Sequence, residues 1–191
     1  MANVPAHGPF TWSDFLALGE DDRRELIEGE LVEVEVPIEI HEHIVVQLAF
    51  FLTAWARPRR AGHALASGYK VRIGERRGVM PDLQFYRAGS SAMRTQQALV
   101  SGHPDLVVEI VSESSVRYDR ITKRGYYARI GVPEYWIIDP SPRTLERWVL
   151  EGEEYRLAGS LAADDVFRPG SFEGLEIPLA ELWTIPAEPK H

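Results

Sequence analysis

Two acidic residues, Asp82 and Glu109, stand among apolar neighbours where an uncompensated charge would be unstable. Glu109 interrupts a run from Leu106 to Val111 that is otherwise apolar and mostly β-branched, which predicts a central strand covered on both faces. Asp82 follows Pro81 in a second apolar segment. Because burial of a lone carboxylate costs several kcal/mol or more, Glu109 requires a partner. A divalent cation shared with Asp82 would also remove the repulsion of about 4 kcal/mol between two anions about 4 Å apart at a surface-like dielectric.

The chemistry of this pair depends on which cation it would hold. The chain offers hard oxygen ligands and has no cysteine, so Mg²⁺ or Mn²⁺ is the expected ion. Magnesium takes one or two carboxylates and completes its shell with waters and a substrate phosphate. Such a site favours in-line hydrolysis of a phosphodiester. Taken alone, Asp82 is explained equally well as the cap of a turn.

A hydrolytic site of this kind usually adds a lysine near the attacking water. The next residue facing the same way as Glu109 is Val111, which cannot serve. On the predicted helix that follows, Asp119, Lys123 and Tyr127 share one face, although Lys123 could instead form only an exposed ion pair worth about 0.3–0.5 kcal/mol. Lysine is scarce, with three in the chain. Three arginines on neighbouring helix faces could contact a phosphate backbone: Arg117, Arg120 and Arg124.

Hydrophobic periodicity predicts the elements that position these residues. Helices are expected at 11–18, from 39 to about 57–58, and from a cap at Ser114 or Ser115 to about residue 130. Strands are expected at 69–73, 79–86, 104–112 and 134–140, and hairpins are expected to turn at 28–29 and at 151–152. After the first turn, residues 30–36 alternate between acidic and apolar side chains. Residues 87–103 are predicted to form a long loop with a helical turn near 96–100, and the tail from 167 packs on the body.

Other polar residues have less specific explanations. His41 and His43 lie two positions apart, on diverging faces of a helix, so ordinary hydrogen bonds are favoured over a zinc site. Glu25, Glu28 and Glu30 could supply an auxiliary metal ligand, but charges at a hairpin are usually solvated. The two aromatic residues of a later strand are expected in the core: Tyr135 and Trp136.

Composition limits the class of protein. The 191 residues are 45% hydrophobic and 26% charged, which suits a single domain over 1–191, with a core at about 25–150 and both ends packed on it. Residues 1–10 lack the features of a secretory signal and no apolar run spans a membrane, so a cytoplasmic protein is expected. The net charge of −8 speaks weakly against nucleic acid, although the arginines are clustered.

These residues occur in a familiar order: Glu25 to Glu30, His41, Pro81-Asp82, 104–112, Asp119, Lys123, Tyr127 and 131–140. The chain thereby resembles the Uma family of "putative restriction endonucleases", within the PD-(D/E)XK nuclease superfamily. The resemblance extends from about Phe10 to Trp183. It implies an α/β fold with a restriction-endonuclease-like core, in which a mixed central β-sheet is flanked by helices and carries additional β-hairpins.

The resemblance also implies roles for individual residues. Asp82 and Glu109 would hold magnesium together with the carbonyl oxygen of Ile110, and the lysine would have moved from the strand to Lys123. Auxiliary positions would be Glu28, His41, Asp119 and Tyr127. Where the family often has proline after the serine that matches Ser112, this chain has Glu113.

Two hypotheses for function follow. In the first, the protein is a Mg²⁺-dependent endodeoxyribonuclease that acts on DNA, and cleavage of both strands would favour a two-fold homodimer. In the second, it is a catalytically inactive nuclease fold that serves as a nucleic-acid-binding or protein-interaction module. The net charge and Glu113 favour the second.

Overall fold

The computed structural model describes residues 7–19, 21–66, 68–113 and 115–185. Most of the segment 1–10 and the candidate cap Ser114 lie outside the described residues. The elements in chain order are α1 (Trp12–Ala17), β1 (Arg24–Ile27), β2 (Glu30–Glu33), α2 (Glu39–Arg59), β3 (Gly62–Ala66), β4 (Lys70–Gly74), β5 (Arg77–Val79), β6 (Leu83–Arg87), β7 (Met93–Arg94), β8 (Ala98–Ser101), β9 (Leu106–Ile110), a π-helical segment (Tyr118–Lys123), α3 (Arg124–Ile130), β10 (Glu134–Asp139), β11 (Thr144–Glu151), β12 (Glu154–Ala162), β13 (Val166–Phe167), β14 (Ile177–Pro178) and α4 (Ala180–Trp183).

The described strands form two six-stranded sheets and one two-stranded pair. The first sheet has the order β2-β1-β5-β4-β8-β7 and the second has the order β12-β11-β10-β9-β6-β3. In the second sheet, β9 runs parallel to β10 and antiparallel to β6. This is the mixed central sheet with helices and hairpins that the sequence predicted.

The two faces of β9 are buried in different clusters. Leu106, Val108 and Ile110 pack with α2 and the C-terminal segment. Val107 and Val111 pack with α3 and the first sheet. Because side chains alternate along a strand, Glu109 lies on the face that is turned toward α3.

The helices that border this core begin and end as their sequences direct. At α1, the Thr11 hydroxyl and the Asp14 carboxylate form a capping box. Along α2, every third or fourth residue is buried, and the helix ends at Arg59, two residues beyond the expected boundary. The predicted core positions of the tail are buried as well, among them Leu175, Ile177 and Leu182.

The segment expected to be one strand at 79–86 is two strands in different sheets. β5 ends at Val79 in the first sheet and β6 begins at Leu83 in the second. The chain crosses between the sheets at residues 80–82, where Pro81 has no N–H to offer to a strand ladder. The prediction that Asp82 lies on a strand is therefore wrong, because Asp82 lies at the junction immediately before β6.

The prediction of a long loop at residues 87–103 is also wrong. This segment contains the short strands β7 and β8, which pair with each other, and β8 joins the first sheet beside β4. The expected helical turn near residues 96–100 is a strand, since β8 covers most of that segment. The alternating strand that was expected to continue to Val36 ends at Glu33. The strand β3 was not predicted.

The helix predicted to end near residue 130 does so, and Gly131 follows it with φ of 83°. Its middle, Tyr118–Lys123, is π-helical, which the spacing of residues did not predict. There the Arg124 N–H donates to the Asp119 carbonyl, five residues earlier. Within the described ranges, no helix has the length and apolarity needed to cross a membrane.

Candidate active site

The ammonium group of Lys123 lies among three carboxylates. Its Nζ is 3.1 Å from Glu109 Oε1, and 3.4 Å from both Glu25 Oε1 and Asp119 Oδ1. Each of these four side chains is almost fully buried. They come from β1, β9 and the π-helical segment, so elements from both sheets and one helix meet at this cluster. We refer to Glu25, Glu109, Asp119 and Lys123 as the lysine cluster.

Further hydrogen bonds hold Glu25 and Glu109 in place. The Met80 N–H donates to Glu25 Oε1 at 2.7 Å, and the Tyr118 hydroxyl donates to Glu25 Oε2 at 3.1 Å. The Tyr127 hydroxyl donates to Glu109 Oε1. Both tyrosines belong to the helix that carries Lys123, so that helix supplies the cation and the donors that orient the acids.

Acidic groups outnumber the one basic group in the lysine cluster. Burial raises the pKa of Glu109 well above its usual value, Lys123 opposes this change, and Asp82 adds to it. Burial alone would lower the pKa of Lys123, but Glu109 and Glu25 outweigh that effect and raise the pKa well above its usual value. Lys123 is therefore an ammonium ion at neutral pH, and three carboxyl groups surround this one cation.

Asp82 lies beside this cluster, immediately before the first residue of β6. Leu83 pairs with Val108, so one residue further along Asp82 lies opposite Glu109, and directly opposed residues share a face of the sheet. Asp82 Oδ2 accepts a hydrogen bond of 2.7 Å from the Ile110 N–H. The Asp82 side chain remains 21% exposed, so this carboxylate is accessible to solvent although the four members of the lysine cluster are buried.

His41, in the first turn of α2, orients Asp82 from the other side. Its Nε2 lies 3.2 Å from Asp82 Oδ1. Burial would lower the pKa of His41, but Asp82 outweighs that effect, so the pKa is raised. His43 points elsewhere, with Nε2 3.1 Å from the Glu181 carbonyl oxygen. The two histidines diverge, as their spacing predicted.

A divalent cation fits the donors found here. Within the described ranges, no three His, Cys, Asp or Glu residues are arranged to hold a metal ion. Magnesium needs only one or two carboxylates, because water and phosphate complete its shell. Asp82 and Glu109 could provide that hard-oxygen pair, with the Asp82 carboxylate partly exposed and the Glu109 carboxyl buried.

Four of the predicted site residues lie elsewhere or have other partners. Glu28 is at the exposed hairpin turn, where its Oε1 lies 2.5 Å from Arg77 Nε. Arg120 Nη1 lies 2.5 Å from Glu146 Oε1, and the Arg124 guanidinium lies 4.4 Å from the Trp148 ring centroid. The remaining arginine is exposed on the first turn of the same helix: Arg117.

Sequence reasoning did not single out the acid of the first hairpin that lies beside Lys123. Glu25 occupies that position, although it had been grouped with Glu28 and Glu30 as a solvated charge. Both Glu25 and its neighbour Leu26 are buried, since β1 is covered on both faces. In a short strand with charged neighbours, the sequence does not indicate that both faces are covered. Tyr118 was missed because its contact depends on the π-helical segment.

Comparisons with known proteins identify the family and the fold. No curated protein matches the chain. A crystal structure from Anabaena variabilis, described as a "putative nuclease belonging to DUF820", matches with a TM-score of 0.75 and 20% identity, over 92% of this chain and 98% of that one. At that identity the match establishes the fold. A family model, Uma2, described as "putative restriction endonuclease", matches residues 12–180. The resemblance seen in the sequence is thus confirmed, and the chain belongs to the Uma2 family.

Proposed function

We propose that this protein is a Mg²⁺-dependent endonuclease that hydrolyses phosphodiester bonds in DNA. The observation that carries the proposal is the position of the partly exposed Asp82 carboxylate beside the buried pair of Glu109 and Lys123. Family membership and the nuclease fold support it. A buried acid cluster with an embedded lysine has no evident structural benefit, because a well-packed apolar group would be as stable at this position.

In this proposal, Asp82 and Glu109 hold Mg²⁺ or Mn²⁺, with the carbonyl oxygen of Ile110 as a further ligand. The bound ion would polarise the phosphodiester and lower the pKa of a water molecule. His41 and the Ile110 N–H fix the Asp82 carboxylate, while Tyr127 fixes that of Glu109. These contacts limit the motion of both acids, as outer partners of metal ligands generally do.

Lys123 acts as a cation in this proposal and not as a general base. Its raised pKa keeps the proton on Nζ at neutral pH. The ammonium can therefore donate a hydrogen bond to the attacking water or to a phosphate oxygen, but it cannot accept a proton. Arg117, exposed on the same helix, is available for the phosphate backbone, whereas Arg120 and Arg124 would first have to leave their present partners.

Nicking of supercoiled plasmid with Mg²⁺ or Mn²⁺ tests the activity. We expect Asp82→Asn and Glu109→Gln to reduce the rate by more than about a hundredfold, since even outer partners of metal ligands are worth about 10–100-fold. Asp139→Asn is the matched control, because Asp139 is also a partly exposed acid at a strand end but pairs with Arg120. Equal nicking by the wild type and Asp82→Asn would contradict the proposal.

Thermal unfolding in a Mg²⁺ titration tests binding apart from activity. An ion at about a hundred times its Kd stabilises the fold by about 2.7 kcal/mol, which raises the Tm by several degrees for a chain of this size. Asp82→Asn should lose this shift and Asp139→Asn should keep it. If Mg²⁺ stabilises the wild type but no DNA is nicked, the catalytically inactive alternative is favoured. If both proteins melt alike at every Mg²⁺ concentration, the proposed metal site is wrong.

A further inference from the structure

The outer face of α2 carries two large apolar side chains in solvent. Val46 is 62% exposed and Phe50 is 61% exposed. They are four residues apart and therefore neighbours on one side of the helix, opposite the face that packs on the central sheet. Large exposed apolar patches mark interaction surfaces, and these two side chains are the candidate centre of one.

Charged residues continue this surface in both directions along the helix. We call it the α2 stripe, and its exposed members follow at helical spacing: Glu39, Glu42, Val46, Phe50, Thr53, Ala54, Arg57 and, immediately after the helix, Arg60. Acids occupy its beginning, apolar and small residues its middle, and bases its end. The stripe is therefore complementary to itself when one copy is reversed.

We propose that the α2 stripe binds the same stripe of a second copy of this chain, antiparallel, about a two-fold axis at Phe50. In that arrangement Phe50 meets Phe50, and Val46 meets Ala54. Glu42 lies opposite Arg57, and Glu39 lies opposite Arg60. A two-fold interface uses one patch twice, so the order of charges along this single helix is sufficient to align both copies.

The charge order also argues against other occupants. At the beginning of the stripe, Glu39 and Glu42 would repel the phosphates of DNA or of an acidic membrane. His41 lies in the same turn of α2. A second copy brings bases to those acids. The ring of Phe51 lies 5.6 Å from that of Phe50 and packs toward the core, so Phe50 projects from a supported position.

The proposal does not depend on nuclease activity. It has a consequence for the candidate active site, however, because His41 in the first turn of the same helix lies next to Asp82. A dimer through α2 would hold two such sites in a fixed relation across the two-fold axis.

Sedimentation velocity over a range of concentrations tests the interface. One helix face per copy is at the small end of specific interfaces, so we expect a Kd of about 10–100 μM. Phe50→Glu should weaken association by about a hundredfold or more, because a central aromatic residue is replaced by a charge in both copies. Leu157→Glu is the matched control, since Leu157 is an exposed apolar residue on β12.

Charge reversal tests the alignment. Glu42→Arg or Arg57→Glu alone should weaken association by about tenfold, because each places like charges opposite each other twice. The double variant Glu42→Arg/Arg57→Glu should recover the wild-type Kd. Circular dichroism and melting curves verify that each variant is folded.

Three results would overturn the proposal. The wild type could sediment as a monomer up to about 300 μM, a concentration well above the expected Kd. Phe50→Glu could dimerise as the wild type does, or the control Leu157→Glu could weaken association as much as Phe50→Glu does. The double variant could associate no better than the single reversals, which would exclude the antiparallel alignment.

Discussion

Two lysines of this protein are buried to the same degree, yet their surroundings are opposite in kind. Lys123 is 5% exposed and Lys70 is 7% exposed. Lys123 lies among three carboxylates. Lys70 Nζ donates to the carbonyl oxygens of Phe15 at 2.8 Å and Leu18 at 3.4 Å, and lies 4.8 Å from the centroid of the Phe15 ring.

The difference in partners reverses the effect of burial on protonation. At Lys70, burial lowers the pKa, and Asp22 only partly opposes this. At Lys123, the carboxylates outweigh burial and raise the pKa. Lys70 satisfies the carbonyl groups at the end of α1 and so ties that helix to β4. Lys123 is the only described cation within ion-pair distance of Glu25, Glu109 and Asp119. Removal of its charge should therefore destabilise the fold.

The largest expected difference is in stability. Lys123→Met leaves buried carboxylates without a cation, which costs about 3–5 kcal/mol of unfolding free energy. Lys70→Met should change it by no more than about 1 kcal/mol, because removal of a poorly solvated charge offsets two lost hydrogen bonds. Urea denaturation of both variants measures the contrast. Equal losses would mean that burial, and not the choice of partner, determines the contribution of each lysine.

A double-mutant cycle tests how much of the difference between the two lysines comes from one contact, that between Lys123 and Glu109. In the Lys123→Met background, Glu109→Gln removes one of the charges left without a partner and should restore about 1–3 kcal/mol. The same Glu109→Gln change in the wild type should destabilise the protein, since Lys123 then loses its nearest acid. The matched pair Lys70→Met and Glu109→Gln should be additive, because Lys70 contacts α1 and not Glu109. Coupling between Lys70 and Glu109 as large as that of Lys123 would contradict this separation.

The lysine cluster also shows which parts of a site can be predicted from sequence. Glu109 was predictable because a charged residue inside a β-branched run is costly to bury unless a partner compensates its charge. Lys123 was predictable because helical spacing aligned it with Asp119 and Tyr127. Glu25 could not be chosen over Glu28, since β1 has two covered faces and nothing in four residues indicates this.

The fold divides in the same way. Long periodic segments, such as α2, β9 and the β11–β12 hairpin, are determined by local patterns of apolar residues. The separation of β5 from β6 is not local, because the apolar run through Pro81 is continuous while its two halves pair in different sheets. The strands β7 and β8 are too short and polar to be distinguished from a loop. The partners of Lys70 lie more than fifty residues away, so no local pattern could predict its burial.

The smallest expected effect is on stability at alkaline pH, where the two lysines should act in opposite directions. An unfolded lysine titrates near pH 10.4. The folded pKa of Lys70 is lower, so between the two values the unfolded state binds more protons and stability rises with pH. The folded pKa of Lys123 is higher, so its contribution is fully present below about pH 10.4 and is lost as the pH rises toward the folded pKa.

Replacement of Lys70 should therefore remove a rise in stability below about pH 10.4, where the contribution of Lys123 is still fully present. As the pH rises toward about 10.4, we expect the unfolding free energy of Lys70→Met to fall relative to wild type by less than about 1.4 kcal/mol per pH unit, the limit for one proton. Urea denaturation at several pH values measures the two slopes. Parallel curves for the wild type and Lys70→Met would show that the carbonyl groups of Phe15 and Leu18 compensate the buried ammonium fully, and the contrast between the two lysines would then lie in stability alone.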